Sequence, residues 1–339
     1  MTKAFYRERQ IFPRLPGYAS CHASTITSLP DGDLLAAFYA GSVEKAADVA
    51  ILSSRFRARR ALWSPPRVIV DVADKSVGNP VLFLASSGVL WLFYLVMQGH
   101  KWHHCTIQYI QSTDYGATWG PEKTFRETPG WTTRNNLLVL DNGEILFPLS
   151  DNVEGYSIFM SSQDGGQTWQ ELGHIPSDPR NEQPAVVQIS DGSLLAYMRT
   201  GGKGGDCWQS RSCDRGRSWT AAETGPFKNP NSAMAMLRLD SANLVAVYND
   251  SNNFRLRTPL NVALSPDDGI TWPFIRSLET RKGAFTYLTT RLDNSDSNEF
   301  SYPAIVQDQE GLVHITYTHC RDNIKHVTVN EAWIQHRDE

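Results

Sequence analysis

The sequence lacks the features that mark membrane-spanning and nucleic-acid-binding proteins. No run of 18 consecutive apolar residues occurs among its 339 residues, and a membrane-spanning helix needs about 20. The formal net charge is -4, with both signs mixed along the chain, whereas proteins that bind nucleic acid carry a basic patch or stripe. We therefore expect neither a membrane nor a nucleic acid as a partner.

Cysteine is scarce, and its spacing indicates neither disulfides nor a metal site. The five cysteines are Cys21, Cys105, Cys207, Cys213 and Cys320. They are odd in number and form no C-x-x-C pair, which indicates free thiols in a reducing compartment. The first ten residues lack the apolar core of a signal peptide, so we expect a cytoplasmic location. Since metal ligands are not clustered either, we expect no metal and no cofactor.

The sequence does contain a phrase of eight residues that recurs four times. The copies span residues 112–119, 162–169, 212–219 and 265–272, and each follows the pattern S-x-D-x-G-x-[TS]-W. Their tryptophans are separated by 50, 50 and 53 residues. A fixed period of this size indicates stacked supersecondary units.

The residue types of this phrase suit a tight turn. An aspartate accepts hydrogen bonds from the amides of its own turn, and a glycine supplies a positive φ without steric cost. The tryptophan packs the turn against the neighbouring sheet. Between the phrases, D-G and N-G dipeptides separate short apolar runs, which predicts antiparallel hairpins. We therefore assign the phrases a structural role and no catalysis.

The phrase resembles the Asp box, or BNR repeat, of the sialidase superfamily. Four near-complete copies indicate a β-propeller, and we predict an all-β chain with one domain over residues 1–339. Trp63 ends a degraded copy, and the last unit, from Tyr302 to Trp333, has strands without a copy, so six four-stranded antiparallel blades are expected. Residues 5–12 are predicted to add the outer strand of the last blade. We predict no helix, and mobile insertions at 201–205 and 280–298.

The starts of the six inner strands are polar, although the strands themselves are apolar. In a propeller these starts meet at one mouth of the central channel, which predicts a ligand pocket there. The candidates are His22, Asn79, Arg134 with Asn135, Glu182 with Gln183, Asn231, and Tyr302. The alternative is that these side chains cap strand ends and hold channel water.

The resemblance implies a tyrosine nucleophile, a glutamate that activates it, and an acid/base carboxyl on a loop. Tyr302 and Glu182 occupy the first two positions. Glu44 occupies the third, on the loop after a second strand, with Asp48 as the alternative four residues later. A tyrosine suits a substrate that carries a carboxylate, because a carboxylate nucleophile would be repelled.

The resemblance also implies three arginines that bind the substrate carboxylate, and here the sequence departs from the pattern. Arg199 and Arg257 match the second and third arginines. The first position holds His22, and one imidazole does not replace a bidentate guanidinium. Arg134 or Arg321 is a candidate substitute. The implied substrate is therefore a sialic-acid-like or other anionic sugar.

Each of these residues also has an ordinary interpretation, so the function stays open. Glu182 with Arg199 could be a structural ion pair, Tyr302 a packed strand start, Arg257 a surface residue, Glu44 a solvated loop charge and His22 a satisfied strand-end histidine. We consider three functions: a sialidase-like glycosidase, a propeller lyase or different glycosidase that uses His22, and a non-catalytic glycan-binding propeller. The expected partner is a carbohydrate substrate, and a homo-oligomer is left open.

Overall fold

Short apolar runs pair into sheets because a tight turn follows each run. The computed structural model describes residues 3–202, 204–254, 256–280 and 299–336. Its strands form six antiparallel sheets, which are the blades of a six-bladed β-propeller, as the repeat predicts. Middle strands such as Leu34–Gly41 and Leu90–Met97 are buried on both faces. They therefore appear in the sequence as continuous apolar runs rather than alternating ones.

The first three blades hold the strands β2 to β15, and in each blade the strands run in order from the channel outwards. Blade one contains β2 (Ser20–Ser28), β3 (Leu34–Gly41), β4 (Ala50–Arg57) and an outer strand in two pieces, β5 (Leu62–Trp63) and β6 (Arg67–Val70). Blade two contains β7 (Val77–Leu84), β8 (Leu90–Met97), β9 (Cys105–Ser112) and β10 (Lys123–Arg126). Blade three has an inner strand in two pieces, β11 (Trp131–Thr132) and β12 (Leu138–Val139), then β13 (Ile145–Asp151), β14 (Tyr156–Ser162) and β15 (Gln170–Ile175).

The last three blades follow the same plan, and the first strand of the chain completes the sixth. Blade four contains β16 (Asn181–Gln188), β17 (Leu194–Thr200), β18 (Gly205–Ser212) and β19 (Glu223–Asn229). Blade five contains β20 (Ala235–Arg238), β21 (Leu244–Asn249), β22 (Leu260–Ser265) and β23 (Phe274–Glu279). Blade six contains β24 (Phe300–Gln307), β25 (Val313–His319), β26 (Asn323–Val329) and, outermost, β1 (Tyr6–Gln10).

The two ends of the chain meet in blade six. The pairing of β1 with β26 confirms the predicted outer strand. The prediction of no helix was wrong, because α1 (Glu331–Gln335) follows β26. Asn330 caps this helix: its side-chain oxygen accepts hydrogen bonds from the amides of Trp333 and Phe5, at 2.9 and 3.0 Å. One cap residue therefore begins the helix and anchors the N-terminal segment.

No helix in the described ranges is long and apolar enough to cross a membrane. Residues 281–298 of the second predicted insertion, and Lys203 of the first, lie outside the described residues.

Each Asp box forms the turn between the third and fourth strands of blades two to five. In blade two, Asp114 accepts hydrogen bonds from the amide and hydroxyl of Thr118, at 2.8 and 2.6 Å, and from the hydroxyl of Ser112 at 2.7 Å. Ser112 in turn accepts from the amide of Gly116 at 2.8 Å. The other three copies repeat these bonds. The box aspartates are therefore used within their own turns.

Blade one lacks a box aspartate, and a residue of the preceding hairpin takes its place. Asp33 accepts hydrogen bonds from the amide of Ala58 at 3.0 Å and from Nη1 of Arg57 at 2.9 Å. It also accepts from Nε of Arg55 at 2.8 Å. The turn of the degraded copy is thus held by a carboxylate from outside the phrase.

Candidate active site

The inner strands bulge where they reach one mouth of the channel. The pairing register shifts within β2, β7, β16 and β24. Near each bulge one residue has a positive φ: Ala23 (54°), Asn79 (42°), Gln183 (56°) and Tyr302 (54°), with Asn231 (59°) ahead of β20. A bulge redirects side chains and is frequent beside active sites. Most of the candidate residues therefore lie within the inner strands, and only some lie ahead of them.

Tyr302 lies at the centre of this mouth. Its hydroxyl accepts a hydrogen bond from Nη1 of Arg199 at 2.8 Å, and the residue is 9% exposed. Burial raises the pKa of the phenol, but Arg199, Arg257 and a hydrogen bond with Gln183 lower it, while Glu44 raises it. The net pKa lies below the ordinary tyrosine value. The phenolate is therefore more accessible here than in an ordinary tyrosine.

Arg199, near the end of β17, is held in place by its neighbours. Its Nη1 also donates to Oε1 of Gln183 at 2.9 Å, and its Nε donates to Oδ1 of Asn231 at 2.8 Å. Glu182 lies opposite Arg199 in the β16–β17 ladder, with Oε1 3.9 Å from Nη2. Within the described ranges this is the carboxylate's only ionic contact, and it has no hydrogen bond to Tyr302. The predicted pairing of Glu182 with Arg199 is present, whereas a direct bond from Glu182 to Tyr302 is not.

Glu299 is a residue of the site that sequence reasoning missed. It precedes β24, is 5% exposed, and accepts hydrogen bonds from Nη1 of Arg257 at 2.7 Å and from Nε of Arg321 at 2.9 Å. The hydroxyl of Ser301 donates to it as well. Burial raises the pKa of this carboxyl, but the two arginines outweigh burial and hold it well below its usual range. The available signal was an acid three residues before Tyr302, at the start of an inner strand.

Arg321 reaches the mouth from the hairpin between β25 and β26. Cys320 and Arg321 both have positive φ, of 54° and 56°, which is costly for residues with a side chain. Two hydrogen bonds of 2.7 Å hold the turn: the amide of Cys320 donates to the carbonyl of Glu299, and the amide of Cys21 donates to the carbonyl of Arg321. Nη1 of Arg321 donates to Oε2 of Glu44 at 2.7 Å. Arg321 therefore joins Glu44 and Glu299 at the pocket.

His22 forms an uncharged wall of the pocket. It is 1% exposed, and its ring centroid lies 4.2 Å from that of Tyr302. Its Nδ1 shares a hydrogen bond of 2.8 Å with the hydroxyl of Thr318. Burial and the charge of Arg321 lower the pKa of His22 well below its usual value, although Glu299, at 4.0 Å, acts in the opposite direction. His22 therefore does not replace the charge of an arginine.

Arg134 and Asn135 lie deeper, between the two pieces of the blade-three inner strand. The terminal nitrogens of Arg134 donate to the carbonyl oxygens of Ser24 and Pro303, at 3.0 and 2.8 Å. Asn135 donates to the carbonyl of Gln183 at 3.0 Å. Backbone carbonyls bind both terminal nitrogens of Arg134. Arg134 is therefore placed differently from Arg199, Arg257 and Arg321, which lie at the mouth.

Asn79 binds the neighbouring blade three, whereas Asp48 makes its bonds within its own loop. The carbonyl of Asn79 accepts from the hydroxyl of Thr133 at 2.7 Å. The carboxylate of Asp48 accepts from the amide and the hydroxyl of Ser42, at 3.1 and 2.9 Å. The structure therefore gives Asp48 a loop-closing role, while Glu44 is the loop carboxylate that contacts an arginine of the pocket.

Besides Arg134, whose Cζ lies 5.0 Å from the ring centroid of Tyr302, three arginines place their guanidinium groups at this mouth. Arg257 lies with Cζ 5.3 Å from the ring centroid of Tyr302, Arg199 donates to its hydroxyl, and Arg321 shares Glu299 with Arg257. Each keeps its Nη2 without a hydrogen bond to another described residue. Guanidinium nitrogens that make no hydrogen bond within the described residues suit a carboxylate ligand. Among the residues that the structure describes, no group of three or more His, Cys, Asp or Glu residues is placed to hold a metal ion.

With this site at the mouth of a six-bladed ring, the protein is a sialidase-like β-propeller. The chain belongs to the family of the BNR repeat-like domain, which matches residues 32–315. The resemblance to the sialidase superfamily is thereby confirmed. A search of curated proteins finds no match to this chain.

Solved structures show the same fold at low identity. The chain is similar to the Hadza microbial sialidase Hz136, with a TM-score of 0.77 and 18% identity, covering 96% of this chain and 69% of that one. It is similar to a protein of unknown function from Dyadobacter fermentans, with a TM-score of 0.77, 17% identity and coverage of 96% and 99%. The intramolecular trans-sialidase from Ruminococcus gnavus gives a TM-score of 0.75, 13% identity and coverage of 97% and 98%. Identities this low establish the fold alone.

Proposed function

We propose that the protein is a retaining glycosidase that removes a terminal anionic sugar, of the sialic acid type, from a glycan. The observation that carries this proposal is the environment of Tyr302, whose hydroxyl binds Arg199 at 2.8 Å. Its pKa is lowered because the neighbouring arginines outweigh burial. A tyrosine in this state suits attack on an anomeric carbon that carries a carboxylate. The sialidases among the structural relatives support the proposal at the level of the fold.

The proposed reaction has two displacements at the anomeric carbon. In the first, the phenolate oxygen of Tyr302, which has already lost its proton to solvent, bonds to this carbon while the bond to the leaving oxygen breaks, and Glu44 gives its proton to the leaving oxygen. Arg321, 2.7 Å from Glu44, stabilises the carboxylate that remains. In the second, Glu44 takes a proton from water, the water oxygen bonds to the anomeric carbon, and Tyr302 leaves as phenolate. Two inversions retain the configuration.

The arginines hold the carboxylate of the sugar in this proposal. Arg199 and Arg257 act as the second and third arginines, and Arg321 supplies the guanidinium that His22 does not. Glu299 binds two of these side chains at once, at 2.7 and 2.9 Å, so they are ordered before the substrate arrives. Glu182 orients Arg199 from 3.9 Å.

Turnover on aryl glycosides of sialic, other nonulosonic, uronic and neutral sugars tests the proposal. We expect aryl release from an anionic sugar, lowered about a thousandfold or more in Tyr302→Phe. The matched control is Tyr94→Phe, which removes a buried hydroxyl bonded to Glu122 in blade two, and we expect it to keep its activity. Release of a neutral sugar alone, or full activity in Tyr302→Phe, would contradict the proposal.

A polysaccharide lyase is the second candidate, and the packing of His22 against Tyr302 at 4.2 Å favours it. Neutral His22 would remove the proton next to a uronate carboxylate held by the arginines. The electron pair left on that carbon forms a double bond, the bond to the leaving oxygen breaks, and the Tyr302 hydroxyl gives its proton to that oxygen. The proton on His22 then passes to the Tyr302 oxygen, which restores both groups. The unsaturated product absorbs ultraviolet light. A rise of this band on uronate polysaccharides that His22→Ala abolishes assigns the lyase, and glycan binding without any turnover assigns a binding propeller.

A further inference from the structure

Arg134 is a buried cation without a carboxylate partner. It is 3% exposed, and its two terminal nitrogens donate to backbone carbonyls. Within the described ranges its Nε has no hydrogen-bond partner, and no carboxylate is among the groups that shift its pKa. Burying a charged group without an ion-pair partner costs free energy of folding, unless the charge stabilises a group nearby. The arrangement therefore needs an explanation beyond ordinary packing.

The guanidinium lies against the ring of Tyr302. Its Cζ is 5.0 Å from the ring centroid, and its Nη2 binds the carbonyl of Pro303, the residue that follows Tyr302. Its Nη1 binds the carbonyl of Ser24, two residues after His22. Arg134 thus joins the two bulged strands whose side chains meet in the pocket.

The surroundings of Arg134 make its charge effective. It borders a cavity of about 260 Å³ on the channel axis that inner-strand residues such as Leu82, Val186 and Ile305 line. Away from bulk water, a charge at this distance is weakly screened. Burial lowers the pKa of Arg134 to about 10, and the phenol of Tyr302 acts in the opposite direction. The guanidinium therefore stays charged near neutral pH.

We propose that Arg134 is a positioning residue whose charge stabilises the phenolate of Tyr302 from beneath the pocket. Tyr302 then loses its proton without a hydrogen bond to Glu182. This inference rests on the proposed role of Tyr302 and assigns its activation to buried positive charge. Among the described residues, the other charged or titratable groups beside the phenol include Arg199, Arg257, Glu44, His22 and Tyr39.

An ultraviolet difference titration tests this without any substrate. The tyrosinate absorbance of the parent minus that of Tyr302→Phe isolates the ionisation of Tyr302, and the same difference is measured with Arg134→Met in both proteins. We expect the titration to move to higher pH in Arg134→Met. With a substrate that turns over, we expect kcat at neutral pH to fall about tenfold or more and to recover as the pH is raised.

Arg126→Met is the matched control. Arg126 also has an Nε without a partner and lies 3.6 Å over an aromatic ring, but that ring is Trp131. Its replacement should leave the titration of Tyr302 in place. If Arg134→Met does not fold, Arg134→Lys serves instead. It keeps the charge, so Tyr302 should still ionise at the lowered pH of the parent protein.

Two results would overturn the inference: an unchanged titration in Arg134→Met, or a titration in Arg134→Lys that returns to that of an ordinary tyrosine. A purely structural role for Arg134 would lower the melting temperature without moving the titration. A low titration that Arg134→Met raises, in a protein that cleaves no glycoside, would support this inference and contradict the proposed function alone.

Discussion

At the scale of residues, the pocket balances its charges until a substrate enters. The three guanidinium groups are those of Arg199, Arg257 and Arg321, and the three carboxylates beside them are those of Glu182, Glu299 and Glu44. His22 adds no charge, because burial lowers its pKa. An anionic sugar brings a further negative charge, which the Nη2 atoms of the three arginines are placed to bind.

The role of Glu44 predicts a dependence on the leaving group. Glu44→Gln should lower kcat/KM for a sugar leaving group about a hundredfold or more, because that oxygen needs a proton. An activated aryl leaving group should be affected far less. The comparison of an aryl glycoside with the corresponding disaccharide measures this difference.

Asp48→Asn is the control for that experiment. It removes a carboxylate that binds the backbone and hydroxyl of Ser42, so it should affect both substrates equally. If Asp48→Asn, rather than Glu44→Gln, discriminates between the two leaving groups, the assignment of the acid/base is wrong.

The sequence pointed to part of the site because polar residues at inner-strand starts must meet at one mouth, which brought Tyr302 and Glu182 into the candidate set. The resemblance to the sialidase superfamily added Arg199 and Arg257, and the structure places both beside Tyr302. Sequence reasoning missed Glu299, since one acid three residues before Tyr302 is a weak signal by itself, and the arginines that contact this residue come from separate blades. The place of Arg134 beneath the ring likewise depends on side-chain packing between blades.

At the scale of elements, the Asp boxes join each blade to the one before it. A Cβ on Gly116 would lie 2.7 Å from Leu35, and one on Gly269 would lie 2.6 Å from Leu195. Both leucines belong to the second strand of the preceding blade. The glycine of the box therefore allows close approach between blades as well as a positive φ.

Two alanine substitutions separate these two effects. Gly116 and Gly143 have φ of 81° and 84°, but nothing lies within 4 Å of a Cβ on Gly143. We expect Gly143→Ala to cost about 1 kcal/mol from φ alone, and Gly116→Ala to cost roughly 1–3 kcal/mol more from the clash with Leu35. Urea unfolding of both variants measures the difference. Equal losses would show that close approach between blades does not matter.

Most strands could be predicted because apolar runs and turn dipeptides are local signals. The bulges could not, since the residues that adopt positive φ include Ala23 and Tyr302, which do not favour it. The helix α1 was missed because it is five residues long, too short for a helical period to show. Its cap, Asn330, also accepts a hydrogen bond from the amide of Phe5 at the other end of the chain.

At the scale of the whole molecule, a buried chain of hydrogen bonds helps to close the ring between blades six and one. Trp63 donates from Nε1 to Nδ1 of His326 at 3.2 Å. His326 must then donate from Nε2 to Nδ1 of His314 at 2.9 Å, and His314 from Nε2 to Asp308 at 2.8 Å. The indole N–H fixes both neutral tautomers. A proton on Nδ1 of His326 would oppose this N–H and break the chain.

Stability should therefore fall in mild acid. Burial and the neighbouring His314 lower the pKa of His326, and burial lowers that of His22. Both histidines bind protons more readily in the unfolded chain, whose histidine pKa is about 6.5. The free energy of unfolding should decrease as the pH falls below that value, by up to roughly 1.4 kcal/mol per pH unit for each group. Urea unfolding between pH 7.5 and 5 measures this slope.

The variant His326→Gln isolates one of the two contributions. It should reduce the slope, because one of the two groups no longer titrates. A free energy of unfolding that stays constant over this range, or the same slope in the variant, would contradict the account.

In the proposed reaction Tyr302 forms a covalent bond to the sugar, and peptide mass analysis after a fluorinated trap detects that bond. The protein is incubated with 2,3-difluorosialic acid, or with a fluorinated uronosyl fluoride if the aryl glycoside assay identifies a uronate as the substrate. The reaction is then quenched and the protein digested. We expect one added sugar on the peptide that contains Tyr302, and none on the same peptide of Tyr302→Phe. An active protein that gives no adduct, or an adduct on another residue such as Glu44, would contradict the proposed reaction.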